Sequence, residues 1–154
     1  ISACLVGSEM CIRDRPYSWT VGKVGSRFFV ELRDNGRMMA NRCTQCDLVW
    51  VPPRSRCPEC FQKIEDAYWL EVGPQGVLRH FTIVRYEHPA QPMRPPFAYG
   101  LICLDKADRA IIHLVSGTDP RSLKPGMRVK PVLKPDRKGN ILDILYYTPV
   151  GGGT

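Results

Sequence analysis

The sequence predicts a mainly β protein in two small modules, the first stapled by a metal and the second closed by its own strands. Three observations carry this. Cys43-Thr44-Gln45-Cys46 and Cys57-Pro58-Glu59-Cys60 are two Cys-x-x-Cys pairs, each able to form a tight knuckle that presents both sulfurs from one turn. From Val77 to Tyr147, runs rich in Val, Ile, Thr, Phe and Tyr alternate with turns marked by Pro and Gly. One helical spacing stands ahead of the cysteines, in Phe28, Phe29 and Leu32 at i, i+1 and i+4.

Two facing knuckles supply the four soft ligands of a closed tetrahedral site, which takes zinc, or iron in a rubredoxin-like variant. The alternative of two disulfides is weaker. Cys-x-x-Cys neighbours make poor structural crosslinks, and the chain does not read as a small secreted disulfide scaffold. Four protein ligands, Cys43, Cys46, Cys57 and Cys60, leave no open position for water or substrate, so the metal is expected to hold structure and do no chemistry. Strand character in Arg37–Arg42 before the first knuckle, and in Leu48–Val51 after it, makes this a zinc ribbon.

With 154 residues and 44% apolar content, the chain can bury a small stapled module beside one larger domain. No apolar run approaches the length that spans a bilayer, so a soluble protein without a membrane partner is expected. Metal-ligating thiols point to a reducing cytoplasm. The formal charge of +7 is trimmed by four thiolates around a divalent ion. Such a balance suits nucleic acid, an anionic cofactor or a solvated surface.

Residues 1–15 stand apart, because Leu5-Val6-Gly7-Ser8-Glu9-Met10-Cys11-Ile12-Arg13-Asp14-Arg15 looks like the in-frame translation of a transposase adapter from sequencing libraries. They are expected to be an artefact, outside the fold. Residues 16–66 then comprise an extended arm from Pro16 to Gly25, a short helix from a Ser26 cap to about Arg33, a stop at Asp34-Asn35-Gly36, and the ribbon. Phe28 and Phe29 are expected to cover the ribbon's small core.

Residues 67–150 form the second module. Strand character in Ala67–Val72 meets a turn at Gly73-Pro74-Gln75-Gly76, and Val77–Tyr86 reads as a long bent strand. A loop stiffened by Pro89, Pro92, Pro95 and Pro96 leads to Phe97–Leu104, and Ala110–Val115 returns. Asp119-Pro120 starts a single helical turn. Met127–Leu133 alternates, with Pro131 marking an edge or a bulge, and a turn at Arg137–Asn140 precedes a strand from Ile141 to Tyr147. Five strands with a helical turn between the third and fourth match a closed barrel of the oligonucleotide/oligosaccharide-binding (OB) type. An immunoglobulin-like sandwich would want about seven strands. Residues 151–154 form a flexible tail.

The order of parts is then recognisable: the aromatic helix, Cys43-x-x-Cys46, Val51-Pro52-Pro53, Cys57-Pro58-x-Cys60, Gly76-Val77 with Phe81-Thr82, Pro95-Pro96-Phe97-Ala98-Tyr99-Gly100 leading into Leu101-Ile102-Cys103-Leu104-Asp105, and Leu123-x-x-Gly126-Met127-x-Val129. Over about Ser26 to Val150 this resembles the Zn-ribbon OB-fold proteins, acyl-CoA-associated, with an N-terminal helix and a rubredoxin-like zinc ribbon followed by a five-stranded OB-fold barrel. The resemblance implies a non-catalytic accessory subunit that docks on a thiolase-like partner or a lipid-transfer-type thiolase homologue. It would help hold a coenzyme A thioester for cleavage, condensation or aldol-type chemistry.

The residues agree with an accessory role. No Ser/His/Asp set or paired carboxylates stand out. Cys103 reads as a core thiol and His113 as a core or rim histidine. Coenzyme A asks for cations, apolar walls and an aromatic face, and Arg85, Tyr86, His88, Arg94, Phe97 and Tyr99 cluster about the proline-rich loop. The bland alternative is that Phe97 and Tyr99 fill the barrel while Arg85 is solvated. Phe28, Phe29, Trp50 and Trp69 exceed what a ribbon can bury, which suggests an association surface. The rival class is a nucleic-acid-binding module, resting on the basic stripe Arg128, Lys130, Lys134, Arg137 and Lys138, but that stripe lacks interleaved aromatics. Rubredoxin-like electron transfer would require iron.

Overall fold

Gly36 sits in the left-handed region at φ 65°, where a side chain is disfavoured, and its N–H bonds to the Leu32 carbonyl while that of Arg37 reaches the Glu31 carbonyl. This closes α1 (Gly22–Asn35). The computed structural model describes residues 20–66, 68–89 and 91–151. The adapter-like residues 1–15, with Tyr17 and Trp19 of the expected arm, lie outside the described residues.

The helix corrects the sequence reading at its start. It begins at Gly22, with Val21 as an N-cap that offers no side-chain hydrogen bond, so Ser26 is an interior residue and Gly22–Gly25 is helical. Gly22 enters the helix at φ 70°, a left-handed conformation that glycine adopts without a side-chain penalty. Val24, Phe28 and Leu32 repeat every four residues, and Phe28 and Leu32 are buried.

Three short strands follow: β1 (Met38–Arg42), β2 (Val49–Trp50) and β3 (Trp69–Val72), in the antiparallel order β2-β1-β3. β3 comes from the stretch the sequence assigns to the second module, yet it pairs with β1, Met38 opposite Val72 and Asn41 opposite Trp69. The remaining strands, β4 (Gly76–Val84), β5 (Phe97–Leu104), β6 (Ala110–Val115), β7 (Arg128–Leu133) and β8 (Ile144–Pro149), close a barrel in the order β4-β5-β6-β8-β7. The chain is thus mainly β, with one helix, a four-cysteine ribbon and a five-stranded OB-type barrel.

Close approaches fix the barrel. A Cβ on Gly100 would meet Leu78 Cδ1 at 2.5 Å and Val115 Cγ2 at 2.6 Å, and one on Gly76 would meet the Cys103 carbonyl oxygen at 2.5 Å. β4 bends at a register shift between Leu78 and His80, as the long bent strand requires. β7 pairs with β4 at Arg128 and Val129, so Pro131 falls beyond that ladder, and a bulge follows at Val132/Leu133.

The strand expected from Ile141 begins instead at Ile144. Ile141–Asp143 is a 3₁₀ turn, because Asn140 Oδ1 accepts the Leu142 N–H at 2.8 Å and the Asp143 carboxylate accepts the N–H groups of Lys138, Gly139 and Asn140 at 3.0, 2.6 and 3.0 Å. Asp143 is buried. Its carboxyl is held below the usual range: burial pushes it up, and the three N–H donors outweigh that.

One continuous core runs from Leu32 through Met38, Ala40, Val49, Val51 and Val72 into the barrel's Leu78, Ile102, Val129 and Tyr147. The Tyr147 hydroxyl donates to Met38 Sδ at 3.4 Å across that junction. A second, much smaller cluster contains Cys43, Cys57 and Ile64, with Cys46, Cys60 and Trp50 packed on it. Phe29 packs on the large cluster, which includes the ribbon-sheet residues Met38, Ala40, Val49 and Val51, and not on the small cysteine cluster. Between the modules, Val49 N–H donates to Asp108 Oδ2 at 2.7 Å, and Asp108 N–H donates to the Val49 carbonyl at 3.1 Å. No helix among the described residues is long and apolar enough to cross a membrane.

Candidate metal centre and ligand cleft

The two knuckles are built alike. Cys43 N–H bonds to the Leu48 carbonyl and Cys57 N–H to the Gln62 carbonyl, both at 2.9 Å, so each Cys-x-x-Cys pair is folded into the same turn. The residue after each second cysteine, Asp47 and Phe61, takes φ 60°. For a non-glycine side chain this costs on the order of 1 kcal/mol, the repeated strain of folding both sulfurs of each pair to one side.

The four sulfurs converge. All lie within 4.8 Å of one another, and Cys43 Sγ stands 3.5 Å from Cys60 Sγ. Zinc–sulfur bonds of about 2.3 Å in a tetrahedron put sulfurs about 3.8 Å apart, so the donor set fits the ion. Burial raises the Cys57 thiol, but N–H groups of Cys60 and Glu59 aimed at the sulfur outweigh it and bring the group down to about 7. Cys46 is pushed up to about 12, first by its hydrogen bond with Cys60 and then by burial. Four thiols this close resist ionising together, a cost that a divalent cation held among them would offset. Asn41, a buried residue of β1, pins the connector between knuckles, accepting the Arg54 N–H at 3.0 Å and donating to the Arg54 carbonyl at 2.6 Å.

The sequence-predicted ligand residues divide among three places. Arg85 and Arg94 converge with Arg121, Glu87, Ile83, Pro95 and Pro96 on an open cleft of about 480 Å³ at the barrel mouth. His88 lines an adjoining cleft of about 370 Å³, which shares Arg94. Tyr99 faces a different groove, and Phe97 is buried with its ring edge-on to Tyr99 at 5.5 Å. Tyr86 is 70% exposed beside the loop. Sequence reasoning missed Arg121. The Asp119-Pro120 signal marked its turn, in which Asp119 Oδ1 accepts the Arg121 N–H at 2.9 Å, but the turn's approach to the proline loop is a property of barrel closure.

Other candidates resolve by register. Cys103 pairs with Ala110 and His113 with Gly100, so Cys103 and His113 stand on opposite faces of the sheet and form no nucleophile–base pair. The Cys103 thiol donates to the Ala107 carbonyl at 3.2 Å. His113 lies edge-on to Tyr147 at 5.7 Å, and burial lowers its pKa against the pull of Ile141 and Leu114 backbone groups. In the basic stripe, Arg128 is bound to both Asp105 oxygens at 2.6 Å and Arg137 donates to the Arg33 carbonyl at 2.8 Å. Two of its five cations are already engaged within the chain.

The aromatic surplus expected to mark an association surface is mostly accounted for internally. Phe28 is buried, and Trp69 and Trp50 are covered by the guanidinium groups of Arg27 and Arg109 at 4.4 and 5.2 Å from the ring centroids.

Known proteins share this arrangement. Residues 30–64 match the rubredoxin-like zinc ribbon domain of ChsH2, and residues 69–134 match its C-terminal OB-fold domain. A solved structure described as an Ltp2-ChsH2(DUF35) aldolase superposes with a TM-score of 0.62 at 21% identity, covering 88% of this chain and 98% of that one. A DUF35-family protein of unknown function from Sulfolobus solfataricus gives a TM-score of 0.58 at 25% identity over 72% of this chain and 78% of its own. A probable enoyl-CoA hydratase alpha subunit of Thermomonospora curvata is 27% identical over 103 residues, which is 66% of this chain and 31% of that protein's length. The chain therefore spans about a third of that relative. With ribbon and barrel both matched and in the same order, the chain belongs to the ChsH2 family, in which a rubredoxin-like zinc ribbon precedes an OB-fold domain.

Proposed function

We propose that this chain is an accessory subunit that binds an acyl-CoA at the barrel mouth and docks on a thiolase-like partner in a cytoplasmic setting, a reading supported by the pairing of ChsH2 with Ltp2 in the solved aldolase. The observation that carries the reading is the convergence of Arg85, Arg94 and Arg121 on one cleft walled by Pro95, Pro96 and Ile83. Three guanidinium groups suit the phosphates of coenzyme A, while prolines and an aliphatic wall suit its pantetheine arm. An exposed ring such as Tyr86 suits stacking by adenine, and His88 and Arg94 extend the polar rim. Tyr99 and Phe97 then act behind the site, as barrel packing. Zinc at Cys43, Cys46, Cys57 and Cys60 keeps the ribbon in shape and takes no part in the chemistry. The proline-stiffened loop loses little entropy when it orders over a ligand.

The domain division proposed from the sequence, ribbon and helix to about residue 66 and OB domain from 67 to 150, is adjusted by β3, which belongs to the ribbon sheet while the barrel strands begin at Gly76. The reading is tested with the partner from the same source. Arg94→Ala and Arg121→Ala should raise the KM for the acyl-CoA by roughly tenfold each while leaving assembly intact. Unchanged KM in both variants would remove the cleft from the account, and thioester turnover by the isolated chain would contradict the accessory role.

A further inference from the structure

The barrel is closed unequally. β6 pairs with β5 along its whole length, but with β8 at Val115↔Tyr147 alone. In the parallel register, Ile144–Tyr146 of β8 run opposite Ile112–Leu114 without forming further ladder pairs, and the 3₁₀ turn Ile141–Asp143 falls opposite the start of β6. At Ala110 and Ile112, the N–H and C=O groups on that side of β6 therefore have no ladder partner in β8, whereas Leu114 adjoins the bridge at Val115.

A groove of about 590 Å³ runs along this seam, with Ile112 and His113 on one lip, Leu142 and Leu145 on the other, and Met93 of the proline loop at its end. Ile112 is 72% and Leu142 66% exposed, high values for aliphatic side chains. A second groove of about 340 Å³ shares Ile112, His113, Ile141 and Ile144 and continues the channel to Trp50 and Arg54 on the ribbon. The two buried side-chain polar atoms without a partner among the described residues, Trp50 Nε1 and His113 Nδ1, belong to residues that line this channel. Its lining includes Lys134, Arg54 and Arg109 and no carboxylate.

From this juxtaposition we infer that the β6–β8 seam is the docking groove for an extended segment of the partner subunit, added as a strand on the free edge of β6. The inference rests on the accessory-subunit reading and names the surface that does the docking. The segment has apolar side chains on the face turned to Ile112 and Leu142, and acidic flanks that meet Lys134 at one end and Arg54 at the other. It also brings backbone polar groups to Trp50 and His113. OB barrels commonly bind their ligands across this same face, between the loop after the first strand and the loop before the last. Here that face mixes the aliphatic Ile112, Leu142 and Leu145 with Tyr99 and Tyr146, and it runs beside unpaired backbone groups of β6, which suit an extended polypeptide.

The test uses the full chain with its thiolase-like partner. Ile112→Glu and Leu142→Glu alter exposed side chains, so circular dichroism should show the native fold. Each should raise the dissociation constant for the partner on the order of tenfold or more. A photo-crosslinker at position 142 of the otherwise unchanged chain should label one acidic, apolar segment of the partner. Wild-type assembly with undiminished affinity in both variants would overturn the groove and leave the accessory reading standing. Failure of the wild-type chain to assemble would remove both. A crosslink to residues 1–19 of the same chain, or to a second copy, would assign the groove to that occupant and overturn the proposal.

Discussion

The two hydrophobic clusters of this chain differ in what holds them. The larger runs from the helix through the ribbon sheet into the barrel and is made of aliphatic side chains and Tyr147. The smaller consists of Cys43, Cys57 and Ile64 with a partial cover from Trp50. A cluster of that size buries too little apolar surface to offset the ordering of both knuckles, so the metal must supply what packing cannot. The barrel has no such need. The boundary of metal dependence thus falls inside the first module: α1 and β1 share the barrel's core, and the knuckles beyond them do not.

The largest expected effect comes from Cys57→Ser, which removes a fully buried ligand. Stoichiometric zinc should be lost and the fluorescence of Trp50 should shift to the red, while far-ultraviolet circular dichroism of the barrel persists. Full retention of zinc would show that three thiolates suffice. Next is Gly100→Val, which places new atoms against Leu78 and Val115 inside the barrel. It should destabilise the chain by about 3 kcal/mol in urea unfolding and leave zinc affinity of the native fraction unaltered. A neutral outcome would mean the barrel is looser than its contacts indicate.

Asp143→Ala should cost about 2 kcal/mol, because three backbone N–H groups lose their acceptor. The wild-type carboxyl lies below its unfolded value, so its contribution is present above about pH 4 and is lost as pH falls through the lower folded value. Urea midpoints of wild type and variant should converge under acid. A constant gap down to the acid limit would place Asp143 outside the linkage.

Features that depend on neighbouring residues were legible in the sequence. The knuckles follow from covalent spacing, and Gly36 follows from the helix end it serves. Phe97–Leu104 and Ala110–Val115 were readable as strands because their apolar runs match the observed limits. Features set by closure were harder. Tyr99 and Arg94 are near in sequence but line different grooves, because strand parity sends one around the barrel wall and the loop carries the other to the mouth. Arg121 arrives there from a turn distant in sequence. The late start of β8 did have a local signal, Asn140 and Asp143 at capping-box spacing, which the apolar run Ile141-Leu142 obscured. Composition did not locate exposed apolar surface: Phe28, on which the expected surplus rested, is buried, and Ile112 is exposed, because burial is decided by which faces meet.

The division between a metal-held knuckle pair and a self-supporting barrel is most directly tested by hydrogen exchange on the full chain before and after zinc removal by a chelator. The account predicts that amides of the two knuckles, Cys43 and Cys57 among them, lose protection on zinc removal while those of β5 and β6 keep theirs. Simultaneous loss of protection in both regions would contradict it, because the barrel would then depend on the metal as much as the ribbon does.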